Sequence, residues 1–157
     1  MKVGIISDSH DNKEKIIEAV KVFNKENVGY VIHAGDIISP FTYREFKNLT
    51  APMFVIYGNN DGEKFGLQKV FNRITEPPAE ISIDNRNFLV LHAPRGLEAF
   101  KSSGIYDYIV YGHTHIIEVS MGETTVINPG EACGWITGRY TVAVLDLETG
   151  KVEIVDI

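Results

Sequence analysis

The chain has 157 residues, 44% hydrophobic and 23% charged, the balance of a folded globular chain forming a single domain over 1–157. Its net charge of −6 and pI of about 5.3, with no run of Lys or Arg, exclude an extended basic surface for duplex nucleic acid. The lone cysteine, Cys133, excludes an internal disulfide and a thiolate-rich zinc site, so a reducing, cytoplasmic setting is expected and any metal must be held by nitrogen and oxygen.

The opening Met1 to Asp8 is charged too early for a signal peptide, and no apolar run is long enough to cross a bilayer, so no membrane partner is expected. Val3 to Ser7 is β-branched and apolar, the pattern of a buried strand. Asp11, with Glu14 three residues on, predicts a capped helix start, and Ile16, Ala19, Val20 and Phe23 form one helical stripe closed by Gly29. Tyr30 to Ala34 is a second strand, leading into Gly35-Asp36. A short helix is predicted over Phe41 to Leu49, a strand over Pro52 to Tyr57, and a third helix over Phe65 to Ile74, stopped before Pro77-Pro78.

Strand–helix alternation with short loops implies parallel strands joined by right-handed crossovers. Beyond Pro78 the pattern changes. Ile81 to Asp84 and Phe88 to His92 predict a hairpin across Asn85-Arg86-Asn87, and Leu97 to Lys101 a short helix. Tyr108 to Tyr111 is a strand ending at Gly112-His113-Thr114-His115. Antiparallel strands are predicted near 116–120, 124–127, 138–146 and 151–156, with turns at Met121-Gly122 and Thr149-Gly150. The expected fold class is α/β, with two packed sheets flanked by helices.

A distinct set of polar residues follows the predicted strands: Asp8 and His10, Asp36, Asn59, His92, then His113 and His115. The carboxyl ends of strands form the ligand crevice of open α/β sheets. Imidazole with carboxylate and amide oxygen suits intermediate first-row divalent ions. A single Asp after a strand is more often a turn or cap residue, and a lone His more often a satisfied structural group; His33, inside its strand, reads that way first and as a proton donor second. Cys133 reads as a small buried or loop residue, and Trp135 as packing or an interface contact before a substrate platform. The whole set at successive strand ends is not explained so simply.

These residues resemble the ordered motifs of the calcineurin-like metallophosphoesterases: Asp8-Ser9-His10, Gly35-Asp36, Gly58-Asn59-Asn60-Asp61, His92, Gly112-His113-Thr114-His115, and the turn Asn128-Pro129-Gly130. The compact length is similar to a small archaeal and bacterial phosphodiesterase branch, to which a retromer subunit is distantly related. The resemblance implies a four-layer α/β/β/α sandwich of two mixed sheets with two divalent metals. Asp8, His10, Asp36 and His115 would hold one, and Asp36, Asn59, His92 and His113 the other, with Asp36 bridging. Manganese or nickel is favoured; zinc, iron and magnesium also suit the ligands.

The expected reaction is hydrolysis of small phosphodiesters by a hydroxide bridging the two metals, with Asp36, Asn59 and Asn60 carrying the catalytic load. With the hydroxide and the Asp8 and Asp36 carboxylates counted, such a centre carries about +1, suited to a monoanionic diester. Many family members have His where Asn60 stands, so the general acid is missing and good leaving groups are favoured. Asn60 is expected to donate to a phosphate oxygen, Asp61 to orient a nearby His, and Arg95 to reach the pocket mouth. A phosphomonoesterase and an idle-centred interaction scaffold are the alternatives. Phe65, Phe100 and Trp135 are the side chains expected to form any homodimer contact.

Overall fold

The structure is a computed structural model that describes residues 1–72 and 74–157. The strand β1 (Lys2–Ile6) alternates its side chains between two environments. Val3 and Ile5 point between two sheets, whereas Ile6 faces the helix α1 (Lys13–Lys25). Gly4 shares the face of Ile6, and a Cβ there would lie 2.6 Å from the Phe23 ring. The missing side chain is therefore what lets α1 lie close against the strand. In α1 the buried residues are Ile16, Ala19, Val20 and Phe23, the predicted stripe.

The N-cap of α1 is Asn12, whose side chain accepts from Lys15 N at 3.3 Å, and not Asp11. Asp11 has a positive φ of 57° and turns its carboxylate to Ser39, accepting from the amide at 3.0 Å and the hydroxyl at 2.6 Å. Glu14 occupies the first turn as expected.

Strands β2 (Tyr30–His33), β3 (Met53–Ile56) and β4 (Ile74–Thr75) follow in parallel, in registers Val3↔Tyr30, Val31↔Met53 and Val55↔Ile74. The helix predicted over Phe41 to Leu49 is instead a 3-10 turn, Pro40–Thr42, running into α2 (Tyr43–Phe46). The helix predicted to Ile74 ends at Val70, as α3 (Lys64–Val70). Ile74 and Thr75 belong to β4, where pairing with β3 outweighs helical preference, and Arg73 in the same prediction lies outside the described residues.

The hairpin of β5 (Ala79–Ile83) and β6 (Arg86–Val90) turns on Asp84-Asn85, one register earlier than predicted. Both residues have positive φ, 51° and 60°, the twist a two-residue hairpin prefers. After α4 (Leu97–Ser102) come β7 (Tyr108–Val110), β8 (Glu118–Ser120) and β9 (Thr125–Asn128), then β10 (Thr141–Asp146) and β11 (Val152–Asp156). The antiparallel prediction fails in one place: β9 lies parallel to β7 and antiparallel only to β8.

Among the described residues the strands form two mixed sheets, in the orders β11-β10-β1-β2-β3-β4 and β5-β6-β7-β9-β8. Val3, Ile5, Ile32 and Ile56 of the first meet Phe88, Val90, Val110 and Ile127 of the second in a dry layer. α1, α2 and α3 cover the outside of the first sheet, and α4 packs Leu97 and Phe100 on the outside of the second. This is the four-layer α/β/β/α sandwich. The ends of β1, β2, β3, β6 and β7 lead into loops on one edge of it.

Candidate metal centre

The loops at that edge are tied together by backbone and carboxylate hydrogen bonds. Asp8 N donates to Gly35 O and His10 N to Asp36 O, both at 3.0 Å, joining the loop after β1 to the loop after β2. Asp61 joins the loop after β3 to the same place. Its carboxylate accepts from the amides of Asp36 at 3.0 Å, Ile37 at 2.8 Å, Ile38 at 2.7 Å and Gly58 at 2.7 Å. This corrects the expectation that Asp61 orients a histidine: it holds backbone. Gly58 lets the loops approach so closely that a Cβ there would collide with the Asp36 carboxylate.

Asp8, His10, Asp36, His113 and His115 all have positive φ, between 38° and 66°. Left-handed backbone at non-glycine residues is strained, and such strain persists where a side chain must be aimed. Here the aim is common. His115 Nε2 lies 3.6 Å from Asp8 Oδ1, and His10 Nε2 lies 3.9 Å from the same oxygen. Asp36 Oδ2 lies 3.4 Å from both His10 Nε2 and His92 Nε2. Asn59 Oδ1 lies 2.9 Å from His92 Nε2 and 2.7 Å from His113 Nδ1. The strand-end residues thus form one continuous chain of donor atoms, His115, Asp8, His10, Asp36, His92, Asn59 and His113, with Asp36 in the middle.

The protonation pattern fits a cation. His92 Nδ1 donates to Ala34 O at 2.8 Å, which leaves Nε2 to face two oxygen acceptors. Burial alone would lower the His92 pKa; hydrogen bonding to Asp36 and Ala34 outweighs it and raises the value, so positive charge is favoured at this spot. Burial would raise Asp36, but hydrogen bonds from His92 and Asn60 hold it below the usual carboxylate range. Asp8, fully buried, is pushed up chiefly by that burial, a cost that a bound cation would offset. His10 Nε2 is buried with no hydrogen-bond partner among the described residues. Neighbouring ligands of one ion with bonds of about 2.1 Å sit about 3 Å apart, close to the separations found here. The residues present fit divalent metal.

Glu131 was not anticipated. It is buried, and its Oε2 accepts from His115 Nδ1 at 2.6 Å, so that His115 Nε2 faces Asp8. Burial would raise its carboxyl, but hydrogen bonds from Thr137, His115 and Cys133 bring it down to about 2. The only sequence signal was its place directly after Asn128-Pro129-Gly130. Cys133 Sγ donates to Glu131 at 3.1 Å, and burial pushes its thiol up to about 12. It is a buried residue, as predicted, but within 4.8 Å of the donor nitrogens of His10 and His115.

Three other expectations change. The Asn60 amide donates to Asp36 Oδ2 at 2.8 Å and its backbone N–H to Oδ1 at 2.8 Å, so it holds Asp36. His33 is fully buried, with Gly35 N donating to its Nδ1 at 3.3 Å and its Nε2 set against Ser9 Oγ at 3.1 Å. Burial brings its pKa down to about 3, so it is neutral near pH 7 and no proton donor. Trp135 is 67% exposed, with its ring 6.0 Å from that of His10, and is not a packing residue. Arg95 lies at a cavity of about 640 Å³ that opens beside Asn59, His92 and His113.

The chain belongs to the calcineurin-like phosphoesterase superfamily, whose domain matches residues 1–150. It is therefore a metallophosphoesterase by family, a class that implies divalent metal binding. It is 43% identical over 157 residues to a phosphodiesterase of Methanocaldococcus jannaschii, covering 94% of each chain. A solved archaeal phosphodiesterase matches over 100% of both chains with a TM-score of 0.93 and 39% identity. Vacuolar protein sorting 29 of Cryptosporidium parvum shares the fold, with a TM-score of 0.69 at 20% identity over 99% of this chain and 96% of that one. No described helix is long and apolar enough to cross a membrane.

Proposed function

We propose that the protein is a phosphodiesterase acting on small diesters at a two-metal centre within one domain. The single observation that carries this reading is the position of Asp36 Oδ2, 3.4 Å from His10 Nε2 on one side and 3.4 Å from His92 Nε2 on the other. It divides the donors into two sets, Asp8, His10 and His115 against Asn59, His92 and His113, and belongs to both. Divalent ions held there supply Lewis acidity and activate water for attack on phosphorus. Manganese and nickel suit the mixed donors best.

The protein's own groups prepare this chemistry. The depressed Asp36 carboxyl stays ionised at neutral pH, fixed by both nitrogens of Asn60. Ala34 O and Glu131 set the tautomers of His92 and His115, so each turns Nε2 inward. Arg95 is exposed, with no ion pair among the described residues, and would draw an anionic ester to the cavity mouth. The Asn60 amide is not acidic enough to protonate a leaving group and His33 is sealed away, so diesters with good leaving groups should react best.

The test is hydrolysis of a chromogenic diester by metal-stripped protein, with each divalent ion added back beside the matching monoester. Metal-restored diester cleavage is expected. Faster monoester cleavage would replace the diesterase with a phosphomonoesterase on the same site. No hydrolysis by folded protein with any ion would favour the scaffold.

A further inference from the structure

Two apolar features bracket the centre on opposite limbs of the donor chain. Beside Asn59, His92 and His113 lies the cavity of about 640 Å³, walled by Tyr57, Pro77, Pro78, Leu91 and Phe100. Lys64, Glu76 and Arg95 also line it, with the Lys64 ammonium 5.0 Å from the Tyr57 ring centre. Its size is ordinary for a small-molecule pocket, and its walls are mostly ring and aliphatic carbon. On the His10 side stands Trp135, 67% exposed and tilted 37° to the imidazole. Ile136 beside it is 72% exposed. Large apolar side chains left in water next to a reactive centre gain most when a ligand covers them.

A phosphodiester differs from a monoester in bearing two organic groups, and an apolar wall stands on each side of this centre. We propose that the site is two-armed and takes diesters with two aromatic ester groups, one in the cavity against Tyr57 and Phe100, the other stacked on Trp135. This rests on the diesterase reading and adds its substrate class. A monoester leaves one wall bare, so the apolar walls and not the metals alone select diesters. Neutral aromatic arms also add no charge to be repelled by a chain of net charge −6.

Trp135 is the only tryptophan, so intrinsic emission reports directly on its arm. Manganese-loaded protein is titrated with diphenyl phosphate and with dimethyl phosphate. Diphenyl phosphate is expected to change the emission with a midpoint at least about 10-fold lower than dimethyl phosphate, and Phe100→Leu to raise that midpoint about 3- to 10-fold. The preference in kcat/KM for bis(4-nitrophenyl) phosphate over methyl 4-nitrophenyl phosphate should fall by about 3- to 10-fold in Trp135→Ala, chiefly through KM. Comparison with the parent cancels the intrinsic reactivity of the two esters. Equal midpoints for the two phosphates, an unchanged midpoint in Phe100→Leu, or an unchanged preference in Trp135→Ala would overturn the two-armed site. Metal-restored hydrolysis with no such preference would leave the diesterase standing without it. Selective quenching by diphenyl phosphate without any hydrolysis would keep the binding site and sink the catalytic reading.

Discussion

The two limbs of the donor chain are built differently. On one, Asp8 is fully buried, His115 is locked by Glu131, and the segment behind them is sewn to the first loop by Ala132 N donating to Ser7 O and Cys133 N to Asp8 O, each at 3.0 Å. On the other, Asn59 and His113 are exposed beside an open cavity, 2.7 Å apart, and only His92 is buried. The first limb is preorganised at Asp8 and His115, where Ser7 and Glu131, themselves buried, fix the donors' directions. The second must gain part of its order from what binds there. We therefore expect stepwise loading, with the tighter ion on the Asp8, His10 and His115 limb.

The largest effect should come from the residue common to both limbs. Asp36→Ala should lower kcat/KM by about 10³-fold or more and reduce bound metal at both positions, read by elemental analysis beside rates. Full activity in that variant would remove Asp36 from the centre. Glu131→Gln acts on the buried limb alone. It should weaken the tighter metal by about 10- to 100-fold, seen as a shift in the first step of a metal titration with the second step kept. A shift confined to the second step would reverse the comparison.

A third effect lies in stability. His33 has a folded pKa of about 3 against an ordinary 6.5, so the unfolded chain binds the proton more readily. Its contribution is complete above about pH 6.5 and is lost as pH falls toward 3. Denaturant midpoints of the metal-free protein should drop across that window, and His33→Asn should flatten the drop. Glu131 adds a further loss between 4.5 and about 2, again because its folded pKa is depressed. The smallest effect is expected at the open rim. Arg95→Ala should raise KM for an anionic diester by a few-fold with little change in kcat, and the difference should shrink at high salt.

The donors on both limbs were legible because each follows an apolar strand, and strand ends are what the period-two pattern marks best. Glu131 was not, because it lies in the irregular run between β9 and β10, where no periodicity says which side chains turn inward. Asp61 belongs to a motif, but three of its four partners are backbone amides from another loop, which composition cannot show. Arrangement failed where tertiary pairing overrode local preference: Ile74 reads as helix and lies in a strand, and β9 reads as one more antiparallel strand while running parallel to β7. For Trp135 the exposure removes packing and leaves the contact role, a choice that an aromatic residue in a sequence cannot make by itself.

The neighbour of β1 on one side is β10, whose residues lie about 140 positions further along the chain. During synthesis, β1 and β2 can pair early, yet one edge of β1 stays bare until residues 141–146 have left the ribosome. The stitches from Ala132 and Cys133 to the first loop arrive in the same late stretch. Such sequence-distant closure slows folding and leaves a sticky edge in partly made chains. The half of the centre expected to grip metal hardest is thus the half assembled last, so a growing chain should hold metal weakly until it is nearly complete.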